Sequence, residues 1–95
     1  MSRAAPYAIA YDIGDDGERS RVDRILRGFG MRVQKSVFEC RLTRWQADKL
    51  LGAIDGLALK TGFVLVYRLM DSGEPRVAGN RPPSLATDDD AAFVV

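Results

Sequence analysis

Residues 8–26, AIAYDIGDDGERSRVDRIL, pass from an uncharged run into Asp12, then into Asp15 and Asp16, and then into a segment bearing Arg19, Arg21 and Arg24. A carboxylate that closes an apolar segment must be offset, and the candidates are a turn amide, a helix cap, a metal ion or a cation. Two features of the composition narrow what such an acid could do: the chain has no histidine and one cysteine, Cys40. Cys–His and Ser–His–Asp nucleophilic catalysis, a histidine general base and a Cys/His zinc site are therefore excluded within one chain, and no internal disulfide can form. An enzyme made from this sequence works with carboxylates, a metal held through oxygen, or lysine. Cys40, between Glu39 and Arg41 in a strand-like run, reads as a small buried residue.

The net charge of +1 conceals an uneven distribution. From Glu18 to Lys49 nine Lys/Arg stand against four acids, an excess of five, whereas Asp88, Asp89 and Asp90 follow without a nearby base. The body suits a polyanionic partner and the tail does not. Ninety-five residues allow one domain with a modest core, a shortage that self-association would relieve. No apolar run reaches the length that crosses a bilayer, and Met1 to Pro6 lack the apolar stretch of a secretory signal, so a cytoplasmic location is expected.

The elements that must position these residues follow from periodicity. Tyr7, Ile9, Tyr11 and Ile13 alternate with Ala8, Ala10 and Asp12, the period of a strand. Val22, Ile25, Leu26 and Phe29 recur at helical spacing, with Arg21, Arg24 and Arg27 on the opposite face and Gly28 and Gly30 as the stop. Asp15 followed by Glu18 has capping-box spacing, Asp16 is an alternative cap, and Asp12 lies too far back to cap this helix. Met31 to Leu42 is too long for one typical strand and reads as two joined tightly across Gln34 to Ser36. Thr43 with Gln46 opens a second helix whose apolar face is Ala47, Leu50, Leu51, Ile54 and Leu57, with Trp45 in its first turn. Phe63 to Leu69 is apolar on both faces, as in a central strand. The order predicts an α+β, ferredoxin-like βαββαβ sandwich over residues 1–70, homodimeric through the sheet face that carries no helix. Residues 71–95 form a C-terminal appendage with one possible short strand, at PRVAG, and an acidic tail.

With the elements placed, YDI at 11–13, the arginine-bearing helix, and G-x-R-V-Q-x-S-V-F-E from Gly30 to Glu39 resemble the CRISPR-associated adaptation proteins of the Cas-two type. The resemblance runs from Tyr7 to about Leu69, and departs from the family pattern at Gly14, where Ser, Thr or Pro is usual, and in the appendage. It implies a ferredoxin-like homodimer in which Asp12 faces its symmetry mate across a cleft. It also implies two activities of different class: metal-dependent cleavage of RNA or DNA, and a scaffold role in which the dimer joins the Cas-one type integrase and holds duplex DNA during spacer acquisition. A stand-alone Mg²⁺-dependent endoribonuclease or deoxyribonuclease is the alternative.

Under this reading Asp12 is the catalytic residue and, shared across the dimer, the ligand of Mg²⁺ or Mn²⁺, which suits a chain without histidine. Its competing role is an Asx turn onto amides near Gly14. Arg21, Arg24, Arg27, Arg32 and Lys35 are the candidate nucleic-acid contacts; for the three helix arginines the competing role is a solvated face. Ser36 and Phe38 read as a turn residue and a core residue. Arg76 to Ala78 are expected to add a strand to the other protomer's sheet, and Phe93, Val94 and Val95 to dock on the integrase, with a frayed tail as the competing state.

Overall fold

The computed structural model describes residues 3–70 and 76–81. The elements run β1 (Ala5–Ile13), α1 (Asp16–Arg27), β2 (Gly30–Gln34), β3 (Val37–Leu42), α2 (Arg44–Asp55) and β4 (Gly62–Arg68). They form one antiparallel sheet in the order β2-β3-β1-β4, so β3 is inserted between the two strands that α1 connects, and β1 between the two that α2 connects. This is the split βαβ arrangement that the sequence predicts.

The period-two pattern of β1 decides which face is buried. Ile9, Tyr11 and Ile13 lie at or below 7% exposure and join Phe38, Cys40 and Leu42 of β3 under Val22 and Leu26 of α1 and Ala47, Leu50 and Ile54 of α2. Leu51, expected on the buried face of α2, is exposed, because the helix presents a narrower stripe than the spacing allows. Leu57 lies beyond the helix, which stops at Gly56, and packs against the core from the following loop.

Both helices start as their caps dictate, though by different means. Thr43 and Gln46 make the full reciprocal box: Thr43 Oγ1 accepts the Gln46 amide at 3.1 Å and Gln46 Oε1 accepts the Thr43 amide at 2.8 Å. At α1, Asp15 Oδ2 accepts the Glu18 amide at 2.9 Å, but Glu18 does not reach back. The expected box is half made, because a distant loop takes the Glu18 carboxylate.

The two-sided apolarity of β4 is corrected in its meaning. This strand lies at the sheet edge, and it is β1 that is central. Val64 and Val66 pack against the core, while Phe63, Leu65 and Tyr67 on the other face remain 55%, 44% and 54% exposed. Two glycines permit the close strand approaches around this sheet: a Cβ at Gly62 would collide with the Asp12 carbonyl, and one at Gly30 with the Glu39 carbonyl and Cys40 Sγ. Residues 76–81 form no helix or strand within this chain, so the expected strand at Arg76 to Ala78 is not formed by one protomer alone.

Candidate functional site

Asp12 is the last but one residue of β1, paired in register with Phe63 of β4. Strand alternation turns its neighbours Tyr11 and Ile13 into the core and leaves Asp12 exposed on the face without helices. Its carboxylate makes no hydrogen bond and no ion pair among the described residues. The Asx turn is therefore absent: the Gly14 amide donates instead to the Thr61 carbonyl at 3.1 Å. An acid with no structural work, displayed on an apolar sheet face, is available for a ligand.

The frame behind Asp12 is rigidly tied. Glu18, 7% exposed, accepts the Lys60 amide at 2.8 Å, the Thr61 amide at 2.9 Å and the Thr61 hydroxyl at 2.5 Å. Thr61 Oγ1 in turn accepts the Asp15 amide at 2.9 Å, and Arg19 Nη1 donates to the Ile13 carbonyl at 2.9 Å while also pairing with Asp16. Hydrogen bonding from the Thr61 hydroxyl, then from the Lys60 amide, holds the Glu18 carboxyl below its ordinary range against the opposing effect of burial. The β1–α1 turn is thus anchored to the start of β4, and Asp12 sits on the strand that both ends support. Sequence reasoning missed Glu18, Lys60 and Thr61 in this role because the partners lie more than forty residues apart.

The candidate cations divide into two groups. Arg21 and Arg24 lie exposed on α1, and Arg24 makes no ion pair among the described residues. Arg27 and Arg32 converge on one acid, Asp23: Arg27 Nε lies 2.7 Å from Oδ2, and Arg32 pairs with Oδ1. Burial pushes the Asp23 carboxyl up, but the hydrogen bonds from Arg32 and Arg27 outweigh it and the group is held low. The Arg32 guanidinium also lies 5.6 Å from the centre of the Phe38 ring, and its Nε is buried without a partner. Asp23, absent from the sequence-derived set, was legible as an acid four residues before Arg27. A cleft of about 740 Å³ beside these groups is lined by Tyr11, Asp16, Arg19, Ser20, Asp23, Arg32, Lys35 and Ser36. Lys35 is exposed in the β2–β3 turn, and its carbonyl accepts the Tyr11 hydroxyl at 3.1 Å. Phe38 is fully buried, as expected of a core residue.

Cys40 is buried and its thiol is pushed up to about 11, first by burial and then by the charge of Glu39, so it stays protonated at neutral pH and offers no nucleophile. No group of three or more Asp, Glu, Cys or His gathers as a metal cage among the described residues. Without such a cage among the described residues, the Asp12 carboxylate fits Mg²⁺ or Mn²⁺ where a second copy would add its own Asp12. Residues 82–95, with Phe93, Val94 and Val95, lie outside the described residues. No helix among the described residues is long and apolar enough to cross a membrane.

Comparison with known proteins bears on this arrangement. The family described as CRISPR associated protein Cas2 matches residues 6–77. The CRISPR-associated endoribonuclease Cas2 of Thermus thermophilus is 52% identical over 62 residues, 64% of this chain and 66% of its own length. The protein of that name from Mycobacterium tuberculosis is 41% identical over 61 residues, 64% of this chain and 54% of its own. The chain thus spans between about half and two thirds of the length of these curated relatives. The crystal structure of a hypothetical protein from Thermus thermophilus superposes with a TM-score of 0.74 at 34% identity, covering 83% of this chain and 95% of that one. Matched over all six elements from Pro6 onward, this chain belongs to the Cas2 family of CRISPR-associated proteins.

Proposed function

We propose that two copies of this chain pair through the helix-free sheet face and act on nucleic acid in CRISPR adaptation, with metal-dependent phosphodiester cleavage at the paired Asp12. The observation that carries this reading is the exposed, unpartnered Asp12 carboxylate, on the same face as Phe63, Leu65 and Tyr67. A second copy on that face would cover the three apolar side chains. It would also bring together two carboxylates whose repulsion a divalent cation removes. Mg²⁺ or Mn²⁺ held there supplies Lewis-acid charge for a phosphodiester in a chain that has no histidine. The remaining work belongs to the protein. Asp12 holds the ion, the Glu18–Thr61 tie fixes the strand end that carries it, and Arg21, Arg24 and Lys35 bind backbone phosphates. The names of the relatives favour RNA among the substrates.

A non-catalytic role as the duplex-holding partner of a Cas-one type integrase draws on a separate observation, the exposed cationic face of α1. One variant separates the two. Asp12→Asn is expected to abolish Mg²⁺-dependent cleavage of single-stranded RNA and duplex DNA while leaving fold and dimer intact. Cleavage that persists in this variant or in EDTA removes the nuclease from this site; spacer integration that persists without cleavage leaves the scaffold role as the function.

A further inference from the structure

At the end of β1 remote from Asp12 lies a second cleft, of about 440 Å³, whose lining residues are Arg3, Ala5, Tyr7, Arg44 and Arg68. Its three guanidinium groups come from three parts of the chain: the segment entering β1, the first residue of α2 and the last residue of β4. Sheet register explains the convergence. Tyr7 pairs with Arg68 across β1 and β4, and Ala5 pairs with Leu42, the residue just before the α2 cap at Thr43. No acid is among the described residues that line the cleft, and neither Arg3 nor Arg68 makes an ion pair among the described residues.

Arg3 and Arg68, neither of them in an ion pair among the described residues, place like charges beside one space, and an anion between them stabilises the arrangement. Guanidinium forks match phosphate oxygens in pairs, and the half-buried Tyr7 adds a ring on which a base or sugar can rest. The amide end of α2, immediately beside Arg44, adds partial positive charge of the same sense. We propose that this cleft binds the phosphate groups of a nucleic-acid backbone, a contact site separate from Asp12 and from the α1 arginines. The inference rests on the nucleic-acid-binding part of the reading above.

Three full-length proteins test it: the unaltered chain, the double variant Arg3→Gln/Arg68→Gln, and a control of equal net charge, Lys49→Glu. Binding of a random-sequence DNA duplex and of single-stranded RNA is followed across a salt series by fluorescence anisotropy. The cleft variant is expected to bind both more weakly, its log–log salt slope flattened by about 0.9 for each duplex phosphate that it no longer neutralises, with the control unchanged. Inorganic phosphate is expected to shift the Tyr7 and Arg68 amide resonances in the unaltered chain and not in the cleft variant. Equal losses in the cleft variant and the control would reduce the effect to overall charge and overturn the assignment. A phosphate response without any change in nucleic-acid binding would make the cleft a free-anion site and overturn it as well. Failure of the unaltered chain to bind either nucleic acid overturns the underlying functional reading. Binding that the cleft variant reproduces in full overturns this inference alone.

Discussion

Glu18 and Thr61, far apart in sequence, form a closed tie in which Glu18 Oε1 accepts both the amide and the hydroxyl of Thr61, while Thr61 Oγ1 accepts the Asp15 amide. Its consequence falls on Asp12. The turn that follows β1 and the loop that precedes β4 are fastened to one helix, so the strand end carrying the exposed acid has little freedom to move.

The tie is ionic on one side and therefore depends on pH. Because the Glu18 carboxyl is held below its ordinary value of 4.5 in the fold, the unfolded chain binds the proton first as pH falls. The stabilisation is present in full above that value and is lost as pH drops through the lower, folded one. Urea midpoints measured across that window are expected to fall for the unaltered chain and to vary less for Glu18→Gln, the two converging at the acid end. Parallel curves would show that Glu18 carries no pH-linked stability.

How much of this was legible in sequence depends on range. β1, both helices and the hairpin were readable because period, capping residues and breakers are local properties. Asp12 was readable as unexplained for the same reason: no cap or turn within reach required it. What escaped was set by pairing across the sheet. Phe63 to Leu69 looked central because it is apolar on both faces, a pattern that an edge strand shares when its second face awaits a cover. The division of labour among the arginines escaped too, since Arg32 meets Asp23 only after β2 folds against α1.

Gly30 tests the sheet itself. Any side chain there would drive into the Glu39 carbonyl and the Cys40 sulfur on β3, both backed by the core. Gly30→Ala is expected to destabilise the domain by about 1–3 kcal/mol through overpacking, read as a lower denaturation midpoint at unchanged slope. A midpoint equal to the unaltered chain would mean that β2 shifts freely on β3.

The uncovered face makes its own prediction. Leu65, 44% exposed, stands between Phe63 and Tyr67 on the helix-free side of β4, opposite Ala10 in register. Leu65→Glu places a charge at the centre of that patch without touching the core. Sedimentation is expected to report a monomer in place of a dimer, with an unchanged circular-dichroism spectrum. A dimer that withstands the substitution would put self-association on another surface.

Asp23 sets the ranking of the α1 cations. Its carboxylate already neutralises Arg27 and Arg32 in part, whereas Arg24, one residue along, makes no ion pair among the described residues. A phosphate that meets Arg24 therefore gains a full charge contact, and one that meets Arg27 must compete with an acid 2.7 Å away. Arg24→Gln is expected to flatten the salt dependence of duplex binding by about 0.9 of a log–log unit, the value for one phosphate left without its cation, and Arg27→Gln by clearly less. Asp23→Asn removes the competing charge and is expected to tighten duplex binding, provided that Arg32 keeps its place over Phe38, which the Phe38 ring resonances would report. Equal slopes for the two arginine variants would mean that Asp23 yields its partners to the nucleic acid at no cost. Weaker binding by Asp23→Asn with Phe38 undisturbed would mean that Asp23 holds the two guanidiniums in the geometry the backbone needs.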